Sequence, residues 1–293
     1  MTNGMKGVLA MLAVCTTWGL SGIYYAQVTH LPPLEVLAHR TIWSFLFFAI
    51  VIAFTGRGDK VREAASSPRT LGLLTVSALL ISTNWFGFIF AIHSGRAMEA
   101  SLGYYIFPLV TVVLGYLVFG ERFGPWQGFG IALATGAVLT LTLGLGVAPW
   151  ISLLLAGTFG GYGLVKKVLT VGPVTSTFLE VALLMPLALG YVAFGPGVAH
   201  LDAHDWALLA MSGIITGGPL VGFAYAATRL HYATLGLTQY LNPTLQFAVA
   251  AFLFNEPFTR WHAIAFPMIW TALALYSLGV LRQDRRARKL AMA

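Results

Sequence analysis

Hydrophobic residues in this chain form runs of about twenty positions, separated by short stretches that contain proline, glycine and charged residues. A helix that crosses a bilayer needs about 20 apolar residues, whereas a membrane β-strand alternates apolar and polar positions. The runs do not alternate, so the pattern predicts an all-α polytopic membrane protein. We place ten transmembrane helices at 6–27, 35–54, 71–92, 98–119, 125–144, 148–166, 176–194, 206–227, 234–254 and 261–281.

Composition supports this prediction and excludes a soluble enzyme. Hydrophobic residues make up 58% of the 293 positions and charged residues only 9%, compared with about 25% charged residues in soluble domains. The first run, 7–25, is longer than the apolar region of a typical signal peptide, so we expect it to be the first span. Connectors exceed a few residues only at 55–70, 195–205 and beyond 281.

The net charge of +7 reflects membrane topology rather than nucleic-acid binding. Of the 17 Lys and Arg residues, 14 fall on the side of the N-terminus, and only Arg96 and Arg260 fall on the other side. Positive residues are enriched in cytoplasmic loops, so both termini are predicted to be cytoplasmic. We expect no nucleic-acid partner, and the tail most simply contacts anionic lipid.

The sequence gives little support for cofactor or metal chemistry. Cys15 is the single cysteine, and the chain has no phosphate-binding G-x-x-x-x-G-K-[ST] pattern, so ATP is not expected as a direct energy source. The stretch HLDAHD places His200, Asp202, His204 and Asp205 together. We interpret it as a solvated loop and expect neither a metal nor a cofactor.

An internal repeat divides the chain into two similar halves. Residues 100–108 read ASLGYYIFP and residues 233–243 read ATLGLTQYLNP, and each final proline precedes a glutamate by 13 positions. We therefore predict five-helix repeats at 1–146 and 147–281, followed by a basic tail at 282–293. Because each repeat has an odd number of spans, the two must be inverted in the membrane. Secondary transporters are typically built this way, with their substrate site between the repeats.

Ionisable residues inside the second and seventh spans are candidates for function. Glu35, His39 and Arg40 lie in the second span and Glu180 in the seventh. In one interpretation Arg40 recognises a carboxylate while His39 or Glu180 relays a proton. In the other, Glu35 and His39 lie at the membrane interface and Arg40 reaches towards it or pairs structurally. The sequence leaves both open.

Polar and aromatic residues also concentrate in spans 1, 3, 4, 6, 8 and 9. Each polar tip needs a partner or water within the membrane. Any one of them is more often a packing residue, but as a set they favour a hydrogen-bonding cavity for an amphipathic or zwitterionic solute. With the ionisable residues above, the candidate substrate-binding set contains Trp18, His39, Arg40, Asn84, Trp85, Tyr104, Tyr105, Tyr162, Glu180, Tyr225, Gln239, Tyr240 and Asn242.

Two proline–glycine pairs are candidate gating hinges: Gly103 with Pro108, and Gly236 with Pro243. Proline removes a backbone donor and disrupts the preceding turn, although a static kink without motion explains these positions equally well. In the fifth span, Gly128, Ala132, Gly136 and Thr140 form a small-residue stripe for close packing, either within the chain or in a homodimer.

Several stretches resemble the RarD family of EamA-type transporters, within the drug/metabolite transporter superfamily. They include HRTIWSF at 39–45, EASLGYYIFPL at 99–109, YGLVKK at 162–167, AATRLHYATLG at 226–236 and QYLNPTL at 239–245. The resemblance covers essentially the whole chain. It implies two inverted five-helix halves around a central cavity lined mainly by spans 1, 3, 4, 6, 8 and 9.

These observations lead to one main functional prediction and one alternative. The main prediction is a secondary transporter, or permease, that moves a small organic metabolite, an amino-acid-like solute or a drug across the bacterial inner membrane by alternating access. Its expected partners are that small-molecule solute and the lipid bilayer, and the sequence leaves open both coupling to protons and a homodimer. The alternative is a membrane-embedded enzyme that acts on a lipid-soluble substrate through His39 and Glu180.

Overall fold

The computed structural model describes residues 3–120, 124–146, 149–195, 200–230 and 238–291, and within these ranges it contains helices and no strand. A five-residue π-helical turn, Val249–Leu253, directly follows the helix Leu241–Ala248. The helices are α1 (Asn3–Ala26), α2 (Pro33–Thr55), α3 (Gly58–Ala65), α4 (Pro68–His93), α5 (Ala97–Phe119), α6 (Pro125–Leu145), α7 (Trp150–Val168), α8 (Pro173–Phe194), α9 (Ala203–Ala227), α10 (Leu241–Ala248) and α11 (Arg260–Ala291).

The prediction of an all-α polytopic membrane protein is confirmed. Eight of the described helices are long and apolar enough to cross a membrane, and the segment Leu241–Leu253 is a shorter apolar helix. Helix α7 has 19 residues but ends with Lys166 and Lys167. The count of ten spans therefore stays a prediction. The connector at 55–70 contains the short helix α3, which is followed by Ser67 as the N-cap of α4.

Helices alternate in direction along the chain, which gives the bundle two sides. We call the side that carries α3 and the loop between α7 and α8 the α3 side. The far side carries the loops 27–32, 94–96, 200–202 and 254–259. The largest apolar core, which includes Val28, Leu31, Met98 and Ile151, lies towards the far side. A smaller cluster of Phe48, Ile52 and Val174 lies towards the α3 side.

Pairwise packing links the first five long helices to the last five. Helix α1 packs on α9 and α10, and α7 packs on α4 and α5. Helix α2 packs on α8 and α9, α8 also packs on α4, and α5 also packs on α10. The last extensive contact joins α6 to α11. Most of these pairings bring together distant parts of the chain.

Two glycines permit particularly close helix approaches. A Cβ atom at Gly19 would lie 2.6 Å from the Leu245 Cβ, where α1 meets α10. A Cβ atom at Gly103 would lie 2.8 Å from the Ser152 carbonyl oxygen, where α5 meets α7. Gly103, predicted as a hinge, is thus a packing position in this conformation.

The α6–α11 contact uses one member of the small-residue stripe, Gly136, which faces Met268 of α11, together with a neighbouring face of α6. A Cβ atom at Gly130 would lie 2.9 Å from the Ala272 carbonyl oxygen, and Ala134 and Ala137 are buried. Ala132, a member of the stripe, is exposed on the isolated chain. The spacing of small residues could not identify α11 as the partner, because it does not specify which neighbouring helix a face meets.

Candidate substrate cavity

A cavity of about 360 Å³ lies in the centre of the bundle, within the usual size range of small-molecule sites. Side chains from α1, α2, α4, α5, α7, α8, α9 and the segment 239–246 line it. The lining reaches Val171 in the loop on the α3 side. It includes no residue of the described loops on the far side, where the large apolar core closes the bundle.

Many predicted site residues line this cavity, together with one predicted hinge. All of them except Arg40 come from spans that the family resemblance emphasised, and α2, which carries Arg40, and α8 contribute additional walls. The shared set consists of Trp18, Arg40, Asn84, Trp85, Tyr104, Tyr162, Gln239 and Asn242, with Pro243 beside them.

Arg40 places an unpaired positive charge in the cavity wall. The residue is only 7% exposed, and its Cζ lies 4.2 Å from the centroid of the Trp85 ring and 5.6 Å from that of Tyr25. Its Nε atom has no hydrogen-bond partner, and among the described carboxylates none lies within 4 Å of it. A cation–π contact compensates only part of the cost of burying a charge.

A second charged group at the cavity is internally balanced. Lys166 lines the cavity, and its Nζ lies 2.5 Å from the Glu180 Oε1. Nζ also donates to the Ser176 hydroxyl at 2.6 Å. Glu180 is 1% exposed and accepts further hydrogen bonds from Ser77 at 2.6 Å and Tyr162 at 3.4 Å. The pair therefore adds polarity to the wall but no net charge.

Asn84 connects three helices at another wall of the cavity. Its amide donates to the Leu155 carbonyl at 3.0 Å and to the Thr158 hydroxyl at 3.1 Å, both in α7. Its Oδ1 accepts from the Tyr104 hydroxyl at 2.9 Å in α5. These bonds hold the Tyr104 ring against Phe159, with 6.0 Å between the ring centroids. The polar tips thus orient the aromatic wall.

The remaining predicted site residues lie outside the described cavity lining. Tyr105 shares a hydrogen bond with Thr244 at 2.8 Å, and Tyr240 packs half-buried at the edge of the main core. Tyr225 is exposed, with the Arg229 guanidinium 3.6 Å above its ring centroid.

The four ionisable residues of the second and seventh predicted spans have separate partners or surroundings. Glu35 approaches His200 at 3.0 Å, and His39 faces the Trp206 ring with 5.3 Å between centroids. Arg40 faces the cavity, whereas Glu180 pairs with Lys166. The sequence placed these residues inside two apolar runs but could not specify which neighbouring helix each side chain faces.

The HLDAHD stretch is ordered where the structure describes it. Asp202 and Asp205 form a reciprocal capping box at the start of α9, so the stretch is not a simple solvated loop. Asp205 also lies 2.8 Å from His30 Nε2, and His200 contacts Glu35. These contacts connect α9 to α2 and to the loop before α2.

Glu256 caps a helix from the other half of the chain. Its two carboxylate oxygens accept hydrogen bonds from the backbone amides of Ala97 at 2.6 Å and Met98 at 2.7 Å, at the start of α5. Such capping satisfies amides that have no partner within the helix. The contact holds the first turn of α5 in place on the far side of the bundle.

The candidate hinges differ in their surroundings. Pro108 lies inside α5, where it cannot donate to the Tyr104 carbonyl. Pro243 lies in α10 and lines the cavity, a few residues before the π-helical turn. Gly236 lies outside the described residues.

Sequence reasoning missed several polar residues of the lining. They are Ser21, Tyr25, Lys166, Ser176, Thr177, Thr216 and Gln246. Lys166 was assigned to the topology signal because it adjoins Lys167 at a helix end. The hydroxyl residues carry no distinctive signal, since Ser and Thr in membrane helices commonly bond to their own backbone. Gln246 lies one turn after the predicted Asn242 and donates to its Oδ1 at 3.0 Å.

Comparison with known proteins identifies the family. Residues 5–143 match the model of the EamA-like transporter family. An "Uncharacterized transporter" of Vibrio cholerae is 37% identical, with 98% of this chain and 97% of that protein covered. "Protein RarD" of Streptomyces exfoliatus is 39% identical, with 96% of this chain and 91% of that protein covered. A solved crystal structure shares the fold, with a TM-score of 0.62, 20% identity, and coverage of 93% of this chain and 97% of that one.

The fold and these matches define a multi-pass membrane transporter of bacterial type. The chain belongs to the RarD family of EamA-type transporters, in the drug/metabolite transporter superfamily.

Proposed function

We propose that the protein is a secondary transporter that moves a small organic solute through the central cavity by alternating access. The observation that carries this proposal is a buried cavity lined by both halves of the chain, whose lining extends to the α3 side and includes no described loop residue of the far side. Its size and its mixture of aromatic rings and polar tips suit an organic metabolite, an amino-acid-like solute or a drug.

The pairwise packing of helices supports two inverted repeats at 1–146 and 147–281. If α1, α2, α4, α5 and α6 correspond in order to α7, α8, α9, α10 and α11, the contact of α1 with α9 corresponds to that of α7 with α4. Likewise, α1 with α10 corresponds to α7 with α5, and α2 with α9 to α8 with α4. A symmetric arrangement of this kind would let the repeats exchange roles and open the cavity to the opposite side.

If the α3 side is cytoplasmic, as the distribution of positive charge favours, the structure represents an inward-facing state. The contacts on the far side would then form the closed outer gate. They include the Glu256 cap of α5 and the approach of His93 Nε2, at 3.1 Å, to the carbonyl oxygens of Val28 and Leu31. Opening that side would require these contacts to break.

Flux measurements with purified protein in proteoliposomes test the transporter proposal. A panel of radiolabelled carboxylates, amines, amino acids and neutral aromatics should contain solutes that cross faster than in empty vesicles. Repeating the measurement with and without a pH gradient separates proton coupling from facilitated diffusion. Chemical conversion of a solute without translocation would instead favour the membrane-enzyme alternative.

A cavity-filling variant makes the test specific to this site. Thr216 is buried in α9 and lines the cavity, so Thr216→Trp should reduce flux at least about tenfold by occupying solute volume. Thr75 is exposed on α4 and bonds to its own backbone, which makes Thr75→Trp the matched control. Equal flux in both variants would place the pathway elsewhere.

A further inference from the structure

We propose that the transported solute is an organic monoanion with an apolar or aromatic body, and that Arg40 holds its anionic group. This inference rests on the proposed function and narrows it to a substrate class. The carrying observation is an arginine, only 7% exposed as a residue, that lines the cavity and has no described carboxylate within ion-pair distance.

The two buried acids of α2 and α8 contact other side chains, and neither lies within ion-pair distance of Arg40. Glu180 is held by Lys166, Ser77 and Tyr162, and Glu35 contacts His200 on the far side. Lys166 and Glu180 cancel in charge, so the described cavity wall retains the single positive charge of Arg40. An anion from outside would complete the pair.

The rest of the cavity specifies the other end of the solute. Aromatic rings dominate the lining around Arg40, with Trp85 and Tyr25 closest and Phe88, Tyr104 and Phe107 beyond them. Apolar and aromatic solute bodies gain by leaving water for such a surface. Inorganic anions gain nothing from it and lose their hydration.

The same geometry disfavours a zwitterion. An ammonium group would enter a wall that already carries the positive charge of Arg40, and the described lining offers no unengaged carboxylate to offset it. Glu180 accepts from three side chains and is 1% exposed, so an incoming ammonium would have to displace Lys166. The predicted preference is therefore for a monoanion over an amino acid of the same size.

A charge series tests the proposal on the unmodified protein. The probes are 3-phenylpropionate, 3-phenylpropionamide, 3-phenylpropylammonium and phenylalanine, together with the matched acid, amide and amine of a shorter and a longer chain. Equilibrium binding is measured in nanodiscs. The carboxylate should bind about 10- to 100-fold more tightly than its amide, which corresponds to about 1.4–2.8 kcal/mol at 1.4 kcal/mol per tenfold. The amine and the amino acid should bind more weakly than the carboxylate.

Variants then assign the preference to Arg40. In Arg40→Gln the acid–amide ratio should fall to within about threefold, while Arg40→Lys should retain an acid preference because it keeps the charge. Arg229 also lies over an aromatic ring but is exposed and outside the described lining. Arg229→Gln is therefore the matched control and should leave the ratio unchanged. If Arg40→Gln does not fold, the acid–amide ratios of the wild type and of Arg40→Lys still test the proposal.

The proposal is overturned if no acid in the series is preferred over its amide, or if phenylalanine or the amine binds best. It also fails if chloride or phosphate displaces the bound acid at concentrations as low as those at which an organic acid does. Flux of neutral solutes without any acid preference would leave the transporter proposal standing and remove this one. Binding with the predicted acid preference but without flux of any panel member would support the monoanion site and contradict the transporter proposal.

Discussion

Removing one member of the Lys166–Glu180 pair should destabilise the protein more than removing both. Breaking a buried ion pair typically costs about 3–5 kcal/mol, because the remaining charge is left without compensation. Glu180→Gln leaves Lys166, whose side chain is 22% exposed and faces the cavity, so we expect a loss of about 3 kcal/mol. Lys166→Met leaves Glu180, which is 1% exposed, so its cost should lie near about 5 kcal/mol.

The double variant Lys166→Met/Glu180→Gln should lie within about 1 kcal/mol of the wild type, because it carries no buried charge and its volume is similar. Unfolding by SDS in mixed micelles, followed by tryptophan fluorescence and helical circular dichroism, gives the four free energies of the cycle. Lys60→Met on the exposed surface of α3 should change stability by no more than about 0.5 kcal/mol. If the two single losses simply add in the double variant, the ion-pair reasoning is wrong.

The other predictions concern helix packing and capping, measured by the same titration. Gly19→Ala should lower the free energy of unfolding by about 1–3 kcal/mol, because the new Cβ would meet the Leu245 Cβ. At Gly157 a new Cβ would have no atom within 4 Å, so Gly157→Ala should leave stability unchanged or raise it by up to about 1 kcal/mol. Glu256→Ala should cost about 0.5–2 kcal/mol by leaving the Ala97 amide uncapped, while Glu256→Gln retains an acceptor and should lose less. Burial raises the pKa of Glu256 above its ordinary 4.5, so its stabilising contribution is complete below about pH 4.5 and is lost as pH rises through the folded value. In Glu256→Gln, stability should decline less as pH rises. A pH profile unchanged from that of the wild type would contradict the assignment of this decline to Glu256.

The sequence predicted a membrane environment for the chain before it predicted any contact between helices. Long apolar runs and a 9% charged content indicate membrane-spanning helices, because the backbone amides of such a run inside a bilayer must form their hydrogen bonds within the helix. Family resemblance and the polar residues of the apolar runs were sufficient to predict Trp18, Asn84 and Gln239, all of which line the described cavity.

Side-chain direction was decided by the tertiary structure alone. Neighbouring residues His39 and Arg40 differ by one position, yet one faces Trp206 and the other the cavity. About 100° separates consecutive side chains around a helix, so their function depends on which helices surround α2. By sequence alone Lys166 is a topology charge at a helix end, and the approach of α8 brings Glu180 to it. The chain by itself determined that there would be helices, a membrane and a few buried charges, and helix packing decided which of those charges were neutralised and left Arg40 without a described counter-ion.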